Sequence, residues 1–267
     1  MVTAVLAATR AEMTKIRTLR GVWIFTGILL ALQVLILLQT AGPTADAVAN
    51  ITPDGVIEIF ADQPEPATRA ILDLLIASSL QMGLFLPALG ALVAGQEFRS
   101  RQLGITTLAV PRRGRLLVAK SLAVTVQMLV TALLIAALST AATYHAVKDW
   151  NPGLLLTPDA FIGQAAFVVF AVSVALTGYA LTVLARNTLA GIVASLGLLA
   201  VTMTQALAGV APQVDALFLF SAARNLLLSP EMNQLTAGPM HGLLVLLSWA
   251  VLSTLVAGIA HSRRDVR

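Results

Sequence analysis

EFRSRQLGITTLAVPRRGRLLVAK, residues 97–120, holds six of the chain's 17 Lys and Arg residues: Arg99, Arg101, Arg112, Arg113, Arg115 and Lys120. It lies between two long apolar runs, in a chain of 267 residues that is 58% hydrophobic and 11% charged. Mean hydropathy is +0.87. A soluble domain of this length carries roughly a quarter of charged residues on its surface. A membrane protein has no such need, because lipid solvates most of that surface. There is no cysteine, which excludes a disulfide framework and a thiolate metal site.

A helix crosses the hydrocarbon layer with about 20 mostly apolar residues, at about 1.5 Å per residue. Six stretches meet that length: 22–40, 71–95, 116–142, 160–185, 189–211 and 241–260. The basic segment before Val22 is long for a signal peptide, so 22–40 reads as a retained span. Gly83, Gly90 and Gly95, with Pro87 among them, predict a kinked second span with a close-packed face. Only Arg186, Asn187 and Thr188 separate the fourth and fifth spans, which predicts a tight helical hairpin.

The charges sort by side. The N-terminus, the 97–120 connector, Arg186 and the C-terminal tail hold all but three of the Lys and Arg residues; Arg69, Lys148 and Arg224 are the exceptions. Of the acids, only Glu12, Glu97 and Asp265 fall on that basic side. Basic residues near span ends are retained in the cytoplasm. Both termini are therefore expected there, in agreement with an even number of spans. The sequence reads as one all-α membrane domain over 1–267, a six-helix bundle in the plasma membrane.

Three segments lie outside the spans. Residues 3–21 form an amphipathic stretch, with Val2, Leu6, Met13 and Ile16 at helical spacing and Arg10, Lys15, Arg17 and Arg20 as its charge. Such a helix lies in the membrane interface, held by apolar burial and by anionic lipid; an ordinary basic flank is the alternative. Residues 41–70 read as an acidic outer loop containing Pro43, Pro53, Pro64 and Pro66. Residues 212–239 are apolar but interrupted by Asp215, Arg224 and Asn225, too often to span, and are expected to dip into the outer leaflet or pack on the bundle.

No phosphate-cradling GxxxxGK[ST], no HExxH and no GxSxG occurs, so the chain is not expected to be an enzyme. His145, His241 and His261 sit far apart at span ends and make a poor metal site. Asp73 is the carboxylate inside a predicted span, at its outer edge; a solvated helix end is the plain reading, a substrate or proton contact the sharper one. Gln33, Gln81, Gln127, Gln164 and Gln205 place one amide in each of the first five spans. A glutamine facing lipid leaves that amide unsatisfied, so each is expected to face another helix or a polar path. Interhelical bonding is favoured over a substrate path.

The connector itself reads as a short helix over 96–108, ended by Pro111, followed by the basic turn PRRGR. Phe98, Leu103, Thr107 and Leu108 would be costly to expose on one face. A partner protein covers them, or they pack back on the bundle while the arginines set topology.

AEMTKIRTLRGVW, residues 11–23, resembles the N-terminal entry helix of bacterial type-2 ATP-binding-cassette exporter permeases. GQEFRSRQLGITTLAVPRRGRLLVAK, residues 95–120, resembles their first cytoplasmic loop, and RRDV, residues 263–266, is common in such chains. The resemblance implies an exporter of two permease subunits, identical or different, and two ATPase subunits. ATP and Mg would be bound by the ATPase partner, with no cofactor on this chain and no nucleic-acid partner. Carried over by position, it implies a cytoplasmic coupling helix, in the 96–115 loop, made of Glu97, Phe98, Arg99, Arg101, Gln102, Leu103, Thr106, Thr107 and Leu108. The expected location is the bacterial inner membrane; amphipathic drugs, peptides and lipid-like molecules all fit an apolar bundle as cargo. The rival is a membrane-embedded regulatory or assembly protein without transport activity. An ion-coupled transporter is disfavoured, since the spans lack ionisable residues at mid-depth.

Overall fold

The computed structural model describes residues 2–59, 64–99, 113–230 and 234–263. Most of the described residues are helical. The helices are α1 (Val2–Thr18), α2 (Arg20–Ala49), α3 (Ala67–Gly83), α4 (Leu86–Arg99), α5 (Arg113–Val147), α6 (Pro158–Ala185), α7 (Thr188–Met203), α8 (Pro212–Asp215), α9 (Leu219–Leu227) and α10 (Pro239–Arg263). A two-residue antiparallel hairpin pairs β1 (Val56–Ile57) with β2 (Glu65–Pro66).

Among the described residues, five helical stretches are long and apolar enough to cross a membrane: Arg20–Ala49, Ala67–Gln96, Val118–Val147, Pro158–Ala185 and Pro239–Ala260. The expected span at 189–211 differs. Its helix, α7, has 16 residues and stops at Met203. Thr204 turns its hydroxyl back on the carbonyl of Val201 at 2.7 Å, Gln205 takes the left-handed conformation (φ 54°), and turns follow to Pro212. A side-chain hydroxyl competing for a helix carbonyl and a left-handed residue both end the ladder.

The expected outer loop at 41–70 is also corrected. α2 runs on to Ala49 with Pro43 inside it, so apolarity ends at the loop boundary but helicity does not. Proline removes one backbone donor there, while Thr40 and Thr44 donate to carbonyls one turn back (Thr40 Oγ1 to Ile36 O, 3.1 Å; Thr44 Oγ1 to Thr40 O, 2.8 Å). Gly55 (φ 75°) then allows the turn into the hairpin. Similarly, Arg113, Gly114 and Arg115 form the first turn of α5 rather than a turn before it.

The second span breaks at Leu84–Phe85, between α3 and α4. Pro87 has no N–H for the carbonyl of residue 83, and its ring crowds that carbonyl. After the break α4 lies directly on α6. A Cβ on Gly90 would meet the carbonyl of Ala175, and one on Gly178 would meet the carbonyl of Pro87. The two backbones therefore touch at two points three residues apart on each helix. Close approach of this kind lets membrane helices gain van der Waals contact where no hydrophobic force separates them from lipid.

Helix α6 is the hub, with 72% of its apolar window buried; α2 and α10 are peripheral, at 22% and 17%. α6 packs against α3, α4, α5, α7, α9 and α10. Its C-terminal residue Ala185 leads into left-handed Arg186 (φ 52°), and the Asn187 side chain accepts from the N–H of Ala190 at 3.1 Å, capping α7. This is the expected tight hairpin. A smaller apolar cluster closes the other end, where Val48, Ile57, Ile71, Val147 and Leu155 meet.

Candidate functional site

The end of the bundle that carries α1 holds a buried charged junction. Leu19 is extended (φ −77°, ψ 98°) and separates α1 from α2, so α1 lies beside α5 and α2 rather than continuing the span. Trp23 fixes the corner: its indole N–H donates to the carbonyl of Arg17 at 2.8 Å. Ile16 is buried and Met13 packs on the core, as the helical spacing predicts, but Leu6 is exposed. The same inward face buries Glu12.

Glu12 joins two cations. Lys15 Nζ lies 2.8 Å from Oε1, and Lys120 Nζ lies 3.3 Å from Oε2. Lys15 is half exposed, and an i,i+3 pair on a helix surface contributes only a few tenths of a kcal/mol. Lys120 and Glu12 are both buried. There the desolvation of each ion is offset in part by the charge of the other. The bridge therefore ties the N-terminal helix to α5, about two turns in from its start at Arg113. Around it, Gln96 at the end of α4 and Tyr179 on α6 line a cleft of about 540 Å³, counting its open mouth. Glu12→Ala is expected to release α1 from the bundle. Trypsin should then cut after Lys15 and Arg17 faster than in the wild type in reconstituted membranes, as read by mass spectrometry of the fragments; an unchanged rate would show that the bridge does not hold the helix.

Of the residues expected to form the coupling helix, Glu97, Phe98 and Arg99 are the last three residues of α4, continuous with the second span, and Phe98 is partly exposed. Arg101, Gln102, Leu103, Thr106, Thr107 and Leu108 lie outside the described residues. The described helices on either side of the connector, α4 and α5, both reach the charged junction, where Gln96 and Lys120 line the cleft.

The five glutamines are not brought to one path. Gln33 Nε2 donates to Ser139 Oγ on α5 at 2.9 Å and reaches the carbonyl of Ser78 on α3 at 3.4 Å. Gln164 Oε1 accepts from Ser79 Oγ at 3.2 Å. Both therefore bond across helices to neighbouring residues of α3, the role favoured for them from sequence. Gln127 is buried on α5, with no partner for Nε2 among the described residues. Gln81 is exposed, and Gln205 lies past the end of α7.

A second polar cluster was not foreseen. Arg224 on α9 is 1% exposed, and its Nη2 lies 2.8 Å from Oδ2 of buried Asp215. Thr236 Oγ1 donates to the same carboxylate oxygen at 3.3 Å, accepts from Asn225 Nδ2 at 3.3 Å, and Thr236 N–H donates to Asn225 Oδ1 at 3.0 Å. Among the described residues, Nε and Nη1 of Arg224 have no hydrogen-bond partner. The segment 212–228 thus packs on the bundle, one of the two placements expected for it. Its α9 lies so close to α10 that a Cβ on Gly242 would meet the carbonyl of Ala222. Asp73 is bonded rather than merely solvated: Ser229 Oγ donates to it at 2.7 Å, linking α3 to this segment.

Two sequence signals pointed to these groups. Glu12 is the one acid before Asp46, in a run otherwise basic, and it shares a face with Ile16 four residues on. Asp215 and Arg224 are opposite charges in an otherwise apolar stretch, and buried charges are paired. No protein-family model matches the chain, and no curated protein is significantly similar to it.

Proposed function

We propose that the chain is the membrane-spanning permease subunit of an ATP-driven cassette exporter, working with a separate ATPase subunit and a second permease subunit. The observation that carries this reading is the anchoring of the 97–112 connector on both sides. On one side, α4 lies backbone to backbone on the hub helix α6 at Gly90 and Gly178. On the other, α5 is bridged to the N-terminal helix by Lys120 and Glu12. A partner that pulled on Phe98 and the residues after it would move packed helices as bodies, because interiors packed this closely switch between arrangements instead of deforming. The chain offers no site of its own for ATP chemistry in this proposal; the partner supplies it.

In this reading α7 and the turns after it, residues 188–211, complete a sixth crossing. Both termini and the basic connector then face the cytoplasm, as basic residues at span ends favour. The cargo is amphipathic and moves outward, by population shift of the bundle on ATPase dimerisation.

The test is co-purification in mild detergent, assayed for ATPase activity, beside a variant with Phe98, Arg99 and Leu103 changed to Ala. The wild type is expected to bring down a cassette ATPase and the variant to lose most of it. Equal recovery would move the interface off these residues. Absence of any ATPase, even after crosslinking, would sink the exporter reading in favour of a regulatory or assembly role.

A further inference from the structure

We propose that Arg10, Arg17 and Arg20 form one docking surface for the phosphates of an anionic phospholipid leaflet, at the corner where α1 meets α2. The inference does not depend on transport.

Helical spacing brings the three arginines together. Arg10 and Arg17 lie two and five residues from Glu12. At about 100° per residue, both are turned away from the bridge to Lys120. With Leu6, four residues before Arg10, they make one strip along α1. All three are exposed, Leu6 at 53%. Arg20 opens α2, is exposed, and shares a face with Trp23 and Ile24, three and four residues on. Those two are exposed at 46% and 62%. The indole N–H of Trp23 on the carbonyl of Arg17 joins the two helices at this corner.

The neighbours of the arginines decide the occupant. Ile24 and Ile28 are exposed on the apolar helix Arg20–Ala49, where such side chains face hydrocarbon. Trp23, half exposed with its N–H satisfied, has the disposition of an interfacial tryptophan. Arg20 stands one turn, about 5 Å, before Ile24, so its stem lies against the apolar side and its guanidinium reaches the headgroups. Leu6, exposed on the strip of Arg10 and Arg17, asks for the same boundary, as in a helix lying in the leaflet plane. Among the described residues none of the three arginines forms an ion pair, and Glu12 is taken up by Lys15 and Lys120. A guanidinium presents a planar fork that matches a phosphate. Three unpaired forks bordered by exposed hydrocarbon fit a surface that is anionic above and apolar below, which is a leaflet of acidic phospholipid. An acidic protein would meet the charges only by displacing lipid from Trp23 and Ile24.

The experiment is native mass spectrometry of the purified full chain with phosphatidylglycerol and phosphatidylcholine of the same acyl chains, in equal amounts. A basic residue at an anionic surface is worth about fivefold in affinity. The wild type is therefore expected to retain phosphatidylglycerol over phosphatidylcholine by about tenfold or more. Changing Arg10, Arg17 and Arg20 together to Gln should bring that ratio to near unity; changing them together to Lys should keep most of it. Each single change to Gln should lower the ratio severalfold, which keeps the test open if the triple variant does not fold. The same loss of charge in the connector, Arg112, Arg113 and Arg115 to Gln, should leave the preference in place. Equal retention of both lipids by the wild type would overturn the proposal. So would an equal loss in the connector variant, or a folded glutamine triple variant that keeps the preference, which would leave the arginines to a protein partner.

Discussion

Asp215→Ala is expected to destabilise the protein more than any other single change to a charged residue. It leaves the Arg224 guanidinium buried without its carboxylate, with Nε and Nη1 already unpartnered. Removing one member of a buried pair costs about 3–5 kcal/mol, because the remaining charge keeps its desolvation penalty and loses its compensation. At this chain length that corresponds to a fall in Tm on the order of 10 °C. Thr236 would lose its acceptor as well. The double variant Asp215→Leu with Arg224→Met removes both ions together and should recover most of the loss, since an apolar replacement of similar volume carries no such penalty. Thermal unfolding of the three proteins in one detergent checks the order. A single variant as stable as the wild type would mean that water reaches the pair.

The second large effect belongs to the glycines between α4 and α6. Gly90→Ala or Gly178→Ala puts a methyl group onto a backbone carbonyl of the facing helix. A side chain can rotate away from such a clash; a backbone cannot. Overpacking a fitted interface typically costs about 1–3 kcal/mol, and these two sites are expected at or above the top of that range. Gly90→Leu should abolish recovery of monodisperse protein. Gly27→Ala and Gly197→Ala are the controls: nothing lies near either position, so alanine should be neutral or stabilise the helix by up to about 1 kcal/mol. Size-exclusion profiles and Tm values of the four alanine variants read the contrast. Equal behaviour of Gly90→Ala and Gly27→Ala would contradict the close approach.

Much of this architecture is legible in the residues. Twenty-residue apolar runs announce themselves because lipid asks for nothing subtler than length and apolarity. The kink before Pro87, the tight turn at Arg186–Asn187 and the burial of Ile16 follow from local rules of backbone and helical spacing. What was hidden depends on groups far apart in sequence. Pro43, Thr44 and Asp46 interrupt the apolar run without ending the helix, so the end of continuous apolarity at Thr40 does not mark the end of α2. The stop at Met203 turns on the hydroxyl of Thr204 and the left-handed Gln205, neither of which lowers hydropathy enough to register. Lys120 counts as a positive flank until Glu12, more than a hundred residues earlier, is brought against it. Arg224 reads as an interruption until Asp215 and Thr236 enclose it. Composition locates charges along the chain; it does not say which of them meet.

The position of the hub helix along the chain bears on how the protein is made. Helix α6 is the fourth long apolar helix to leave the ribosome, and α3, α4 and α5 all pack on it. Until residues 158–185 have been synthesised, Gly83, Pro87 and Gly90 face an empty seat, and the earlier helices have only α5 to close around. The nascent chain must therefore wait in the bilayer as an open cup, and the arrival of α6 is the step that turns a row of inserted helices into a bundle.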